Sequence, residues 1–328
     1  MVAFSGGCMH YFILLALIPL GAFAAASMAG AFGASAAWPW IRSRVAACPS
    51  GDRARLLALV RLLPVGAGGA TALLLVTVFV RYEPRDTTEI PGLVLLAPAL
   101  TTVVLLGMAL TRIVQSRRAS ATCSALLRQC GRPWPRADGR RIWIIDTTYP
   151  VAAVTGLVRT RLLLSTRIVR ECTPGEIEAV IRHEAAHVGR RDNFIRAAMH
   201  CLPDPLALLA AGREMQDVWA AAAEEAADDE AAGPHASGRT ELASALVRVA
   251  RMAEGPPPHW MPALAFYEGT HLEHRVRRLL TNGPGRSGTA ARRLAAAALV
   301  LATGAVLLTD GASRQIHAVM ELAVQHLP

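Results

Sequence analysis

The stretch "EAVIRHEAAHVGRRDN", Glu178 to Asn193, decides how this chain reads. It sits in a helical context. Just before it, Thr173 offers an N-cap, Pro174 a first-turn residue and Glu176 the second half of a capping box. Ile177, Val180, Ile181 and Val188 then fall largely on one apolar stripe. On such a helix His183 and His187, four residues apart, project their imidazoles from the same face. That spacing is what two ligands of one tetrahedral zinc ion need. Glu184, next to the first histidine, can reach water at such a metal as general base. A helix with two solvated histidines could show the same five letters, but the capped start and the apolar stripe favour the metal.

Two histidines are half a site, because a catalytic zinc keeps three protein ligands and an open position. The third is sought in "AAAEEAADDEAA", which offers Glu224, Glu225, Asp228, Asp229 and Glu230 on a second helix. Most of these acids read as a solvated face. The alanines around them let that helix pack closely, so one acid is expected to point inward. Glu224 and Asp228 share a face, as do Glu225 and Asp229, and spacing alone does not separate the two pairs.

The surroundings are oily. Hydrophobic residues make up 53% of the 328 and charged residues 18%, below the usual quarter or so of soluble domains. Apolar runs long enough to span a bilayer occur at 11–32, 62–80 and 93–111, with a shorter candidate at 294–309. The first is longer than a signal-peptide core and no basic residue precedes it, so a retained helix is expected. The net charge is +9 and every cation besides histidine is arginine. Arginines crowd the loop between the first two runs (Arg42, Arg44, Arg53, Arg55, Arg61) and follow the third (Arg112, Arg117, Arg118). By the positive-inside rule these segments face the cytoplasm. The six cysteines are scattered without a CxxC pair, so neither a zinc ribbon nor a disulfide framework is expected. No nucleic-acid motif accompanies the basic charge, and no direct nucleic-acid binding is expected.

The fold class expected is mainly α: a multi-pass membrane protein with about four transmembrane helices and an α+β domain carrying a small β-sheet. The division is a membrane domain at 1–115, a cytoplasmic domain at 116–293, and a final helix with a short tail at 294–328. Strand-like pieces at Arg141–Asp146, Ala152–Thr155 and Arg161–Ser165 suggest an antiparallel sheet. Asn193–Gly212 reads as a helix–turn–helix, and Arg213–Gly233 as a helix ending at Gly-Pro.

"HEAAHVGRRD" followed by "EEAADDEAA" resembles the gluzincin membrane metallopeptidases, with the nearest likeness to the BlaR/MecR-type peptidases and a more distant one to the CAAX prenyl and heat-shock membrane proteases. The likeness covers roughly Ile142–Leu280 and the flanking apolar segments. It implies zinc as cofactor and a Glu of an ExxAD motif as third ligand. Here that is Glu224, with Glu225 as fallback, and Asp228 would orient a ligand histidine. The resemblance reads Arg190, Arg191 and Asp192 as structural. It reads "VTGLVRTRLLLS" as a strand pair whose edge holds extended substrate, and "HLEHRVRRLL" as a closing helix on which Arg275 is more a surface charge than a site residue. Only 310–328 follows the fourth apolar run and no SxxK motif occurs, so the likeness is to a short form without the penicillin-binding sensor domain. The implied activity is a zinc endopeptidase of the cell membrane, with a protein or peptide substrate such as a transcriptional repressor. A quality-control membrane protease and a non-catalytic, metal-stabilised signalling protein are the rival expectations.

Overall fold

The structure is a computed structural model that describes residues 6–85, 91–135, 139, 141–157, 160–253, 272–281, 314, 315 and 318. The apolar run at 294–309 lies outside the described residues. Three long helices open the chain: α1 (Gly6–Val45), α2 (Ser50–Tyr82) and α3 (Leu93–Cys130). Each is long and apolar enough to cross a membrane, and the runs expected at 11–32, 62–80 and 93–111 lie within them. They hold 40, 33 and 38 residues, which is about 50–60 Å of helix against a hydrocarbon layer of about 30 Å. The surplus lies at the arginine-bearing ends: the C-terminal end of α1, the N-terminal end of α2 and the C-terminal end of α3. There it meets the rest of the chain. α3 runs without a break through position 116.

Outward-facing Leu100, Val103, Leu106 and Leu110 give α3 an apolar exterior suited to lipid. Between helices, small residues allow close approach. A Cβ on Gly68 would meet the Phe23 carbonyl oxygen and the Ser27 Cβ at 2.9 Å, so α2 can lie this close to α1 only with glycine there. The Thr102 hydroxyl donates to the Leu20 carbonyl at 2.6 Å and ties α3 to α1.

Four strands follow: β1 (Gly131–Trp134), β2 (Ile142–Ile145), β3 (Ala152–Thr155) and β4 (Arg161–Ser165), in the sheet order β1-β2-β4-β3. The sheet is mixed, which corrects the antiparallel expectation: β2 pairs with β4 in parallel, while β1 with β2 and β3 with β4 are antiparallel. The reason lies in the connections. β3 folds back on β4 as a hairpin, and β4 inserts between β3 and β2. Ser165 fixes this arrangement, because its N–H donates to the Val151 carbonyl at 2.8 Å and its hydroxyl accepts from the Val151 N–H at 3.1 Å. β1 was not expected from the sequence, since "GRPW" carries neither alternation nor β-branched residues. β3 is left as an edge strand.

The helices α4 (Thr166–Glu171), α5 (Pro174–Arg190) and α6 (Asp192–Cys201) come next, then a 3-10 turn at Pro205–Leu208. They are followed by α7 (Ala210–Ala232), α8 (Ala236–Met252) and α9 (Leu272–Thr281). The capping box of α5 is present in full: the Thr173 hydroxyl accepts from the Glu176 N–H, and the Glu176 carboxylate from the Thr173 N–H. Ile177, Val180 and Ile181 pack on Leu162 and Leu164 of the sheet and on Ala245 and Val249 of α8. α7 begins a turn earlier than Arg213 and stops at Gly233, whose φ of 63° ends the helix as the Gly-Pro pair indicates.

Arg61 of α2 joins the apolar helices to the rest. Its side chain is fully buried, pairs with buried Asp204 and donates from Nε to the Gly212 carbonyl at 3.1 Å. Gly212 is close-packed in turn: a Cβ would lie 1.9 Å from the Leu206 carbonyl oxygen. Arg61→Ala strands the Asp204 carboxylate, so a loss of about 3–5 kcal/mol is expected. Thermal unfolding in detergent checks this. A melting temperature equal to that of the wild type would contradict the role given to the pair.

Candidate active site

α5 presents His183 and His187 one turn apart, with their Nε2 atoms 3.3 Å from each other. α7 crosses beside α5 and brings the Glu224 carboxylate to both: Oε2 lies 3.4 Å from Nε2 of His183 and Oε1 lies 3.5 Å from Nε2 of His187. Two ligand atoms about 2.0–2.1 Å from one tetrahedral zinc ion must lie about 3.3–3.4 Å apart. The two Nε2 atoms stand at that edge length, and each faces a different oxygen of Glu224. One ligand atom from each of the three residues lies within 4.8 Å of the others, so the donor set fits a zinc ion in chemistry and can close on it with a small turn of the carboxylate. Among the described residues this trio is the group able to hold a metal ion. Glu225 points elsewhere, to Arg53 of α2, with Nδ1 of His274 at 3.6 Å. Asp229 binds the Ser50 hydroxyl at 2.5 Å and Arg278 at 2.9 Å. Of the two acid pairs that spacing left open, Glu224 and Asp228 face α5, and Glu225 and Asp229 face α2 and α9.

The imidazoles are held from behind. Asp228, one turn beyond Glu224, places Oδ1 3.1 Å from Nδ1 of His183, although not in line for a straight hydrogen bond. Asp192 places Oδ2 2.8 Å from Nδ1 of His187. Its position follows from Arg191, whose left-handed backbone (φ 59°, ψ 33°) ends α5 and turns the chain back into α6. The second residue of each contact leaves Nε2 free to face the trio, which is how outer carboxylates orient metal-binding histidines. The sequence reading kept Asp192 as structural. The signal that could have raised it is a carboxylate five residues past His187, just after a helix stop.

Arg275 corrects another expectation. It is 7% exposed, far from a surface charge. Its Nε and Nη2 grip both oxygens of Asp228 at 2.8 and 2.7 Å, and Nη1 lies 3.1 Å from Oε2 of Glu224. Nothing in α9's own pattern reveals this, because burial comes from α9 packing on α7 and α8.

These charges set each other's protonation. Burial raises the Asp228 carboxyl, but Arg275 and then His183 override it and hold the group at about 2. Glu224 likewise stays well below the usual carboxylate range, against burial, through the two histidines and Arg275. For His183, burial disfavours the cation, yet Asp228 and Glu224 push it up to about 10. In the metal-free protein this shift stabilises the fold fully below pH 6.5, and the contribution fades as the pH rises through about 10. A metal ion held by the trio would take the place of that proton.

The trio opens into a cleft walled by β3 (Ala152, Val154), α5 (Val180) and α8 (Leu242, Leu246). Glu184 also lines it and, among the described residues, its carboxylate has no hydrogen-bond or ion-pair partner. Asn193 and Arg196 of α6 border the same cleft; neither was singled out from sequence.

The sequence profile of peptidase family M48 matches residues 93–256. No curated protein and no solved structure matches.

Two measurements test the site. Glu224→Ala is expected to lose bound zinc on dialysis while Glu225→Ala keeps it, read by elemental analysis; the reverse result would contradict the geometry. Zinc added to metal-free protein at pH 7 in weak buffer should release a proton, seen with a pH indicator, because His183 holds one there. Uptake without acidification would contradict it.

Proposed function

Because the chain belongs to peptidase family M48, a family of metallopeptidases, and carries three apolar helices able to cross a membrane, we propose that it is a membrane-embedded zinc endopeptidase. His183, His187 and Glu224 would hold the metal, and Glu184 would be the general base. The observation that carries this reading is the unpaired Glu184 carboxylate facing the same cleft as the metal-binding trio. A purely structural metal site has no use for such a group.

When bound, zinc supplies Lewis acidity toward a carbonyl and toward water. The chain's own residues do the rest. Glu184 takes a proton from the attacking water and passes it to the leaving amine nitrogen as the C–N bond breaks. Asp228 and Asp192 keep the histidine rings turned toward the cleft. Arg275 fixes the Asp228 and Glu224 carboxylates. The open side of β3 offers backbone groups to an extended peptide, and the apolar wall of α8 keeps bulk water from one side.

The site is proposed to lie at the cytoplasmic face of the cell membrane. The support is that Arg42, Arg53 and Arg61 stand at the helix ends that pack on α7 and the turn before it. The likeness of "HEAAHVGRRD" and "EEAAD" to the BlaR/MecR-type peptidases supports a regulatory substrate, namely a transcriptional repressor.

Glu184→Gln is expected to retain zinc and to cut casein at least about 100-fold more slowly than wild type. Undiminished cleavage would sink the mechanism. The same variant used as a trap in cells should hold one DNA-binding protein; a broad set of membrane proteins would point instead to quality control.

A further inference from the structure

The edge of β3 next to the cleft has fewer free backbone groups than its length suggests. Ser165 donates to the Val151 carbonyl, and the register pairs Ala152 with Leu164 and Val154 with Leu162. Bonded and non-bonded pairs alternate in an antiparallel ladder. Val151, Ala153 and Thr155 therefore turn their backbone groups to β4, and Ala152 and Val154 turn theirs to the open side. One of the four open groups is taken. The Asn193 side-chain amide, from the first turn of α6, donates to the Val154 carbonyl at 3.1 Å. Among the described residues, no partner engages the Ala152 N–H, the Ala152 carbonyl or the Val154 N–H on that side.

We infer that Asn193 is a specificity-determining residue that closes the substrate-pairing edge of β3 at Val154. This rests on the reading of β3 as the substrate edge. An extended peptide can exchange both its backbone bonds with Ala152. Two residues further along, it can offer a carbonyl to the Val154 N–H, but its own N–H finds no acceptor, because Asn193 occupies it. The enzyme thus reads the backbone N–H at the first substrate position and ignores it at the second. A residue without an N–H, such as proline, is accepted at the second position and rejected at the first. Asn193 follows directly on Asp192, so the turn that orients His187 also sets where the substrate strand ends.

The test uses the full chain, zinc-loaded in detergent, with β-casein as the first substrate. The site cut fastest is made as a short peptide, and each backbone N–H outside the scissile bond is methylated in turn. For wild type, methylation at one position is expected to lower kcat/KM about tenfold, with no loss two residues away. Asn193→Ala and the isosteric Asn193→Asp free the Val154 carbonyl, so both are expected to become sensitive at that second position by about tenfold. Variants that keep the wild-type methylation profile would overturn the role of Asn193. Loss of folding in both variants would overturn it too, by placing Asn193 in the fold rather than in substrate choice. A wild type insensitive to methylation everywhere would instead overturn the β3 reading beneath it, and a wild type that leaves casein intact would overturn the peptidase reading.

Discussion

The site depends on how closely α7 lies against α5. Only at that distance does one carboxylate reach two imidazoles at 3.4 and 3.5 Å. Alanine allows close packing on both sides of α7: Ala179 of α5 packs with Ala231 and Ala232, while Ala222 and Ala223 pack with α1 and α2, and Ala226 and Ala227 are buried between. α7 is also held from its far side. Trp38 and Arg42 of α1 bind Glu214, Arg53 of α2 binds Glu225, and Ser50 binds Asp229. Glu225 and Asp229 immediately follow Glu224 and Asp228. The same two turns of helix therefore face the site on one side and the apolar helices on the other, and the position of Glu224 is set jointly by α5 and α2.

Burying so many charges together is costly unless each is paired. Asp228 is fully buried and survives as an anion through the two-pronged grip of Arg275 and the nearness of His183. Glu224 shares Arg275 with it. A divalent cation in place of the His183 proton would still offset the two carboxylates while leaving both imidazoles in the orientation that Asp192 and Asp228 impose. Glu184 lines the same cleft but lies outside this network, which suits the proton-transfer role proposed for it.

What the sequence made legible was local. The capping box of α5, the shared face of His183 and His187, and the end of α7 at Gly233 are encoded within a few residues of where they act. The apolar runs were equally plain, because length and composition alone define them. The choice of Glu224 over Glu225 came from a motif likeness; composition and spacing could not make it, since only the packing of α7 between α5 and α2 tells the two faces apart. The parallel pairing of β2 with β4 depends on where a hairpin docks, and three short strands do not carry that information. The burial of Arg275 and the contact of Asp192 with His187 are hidden for the same reason: each side chain acts on a residue of another helix, and a burial or a chain reversal has no period in the sequence. Arg61, one arginine among many in a loop-flanking run, reads as topology until Asp204 is found beside it.

The measurement that tests the account most directly is X-ray absorption at the zinc edge of the purified, metal-loaded protein. The account predicts a shell of nitrogen and oxygen at about 2.0–2.1 Å, with the outer scattering of two imidazoles and a single carboxylate that disappears in Glu224→Ala. A sulfur shell near about 2.3 Å, or a third imidazole, would contradict it.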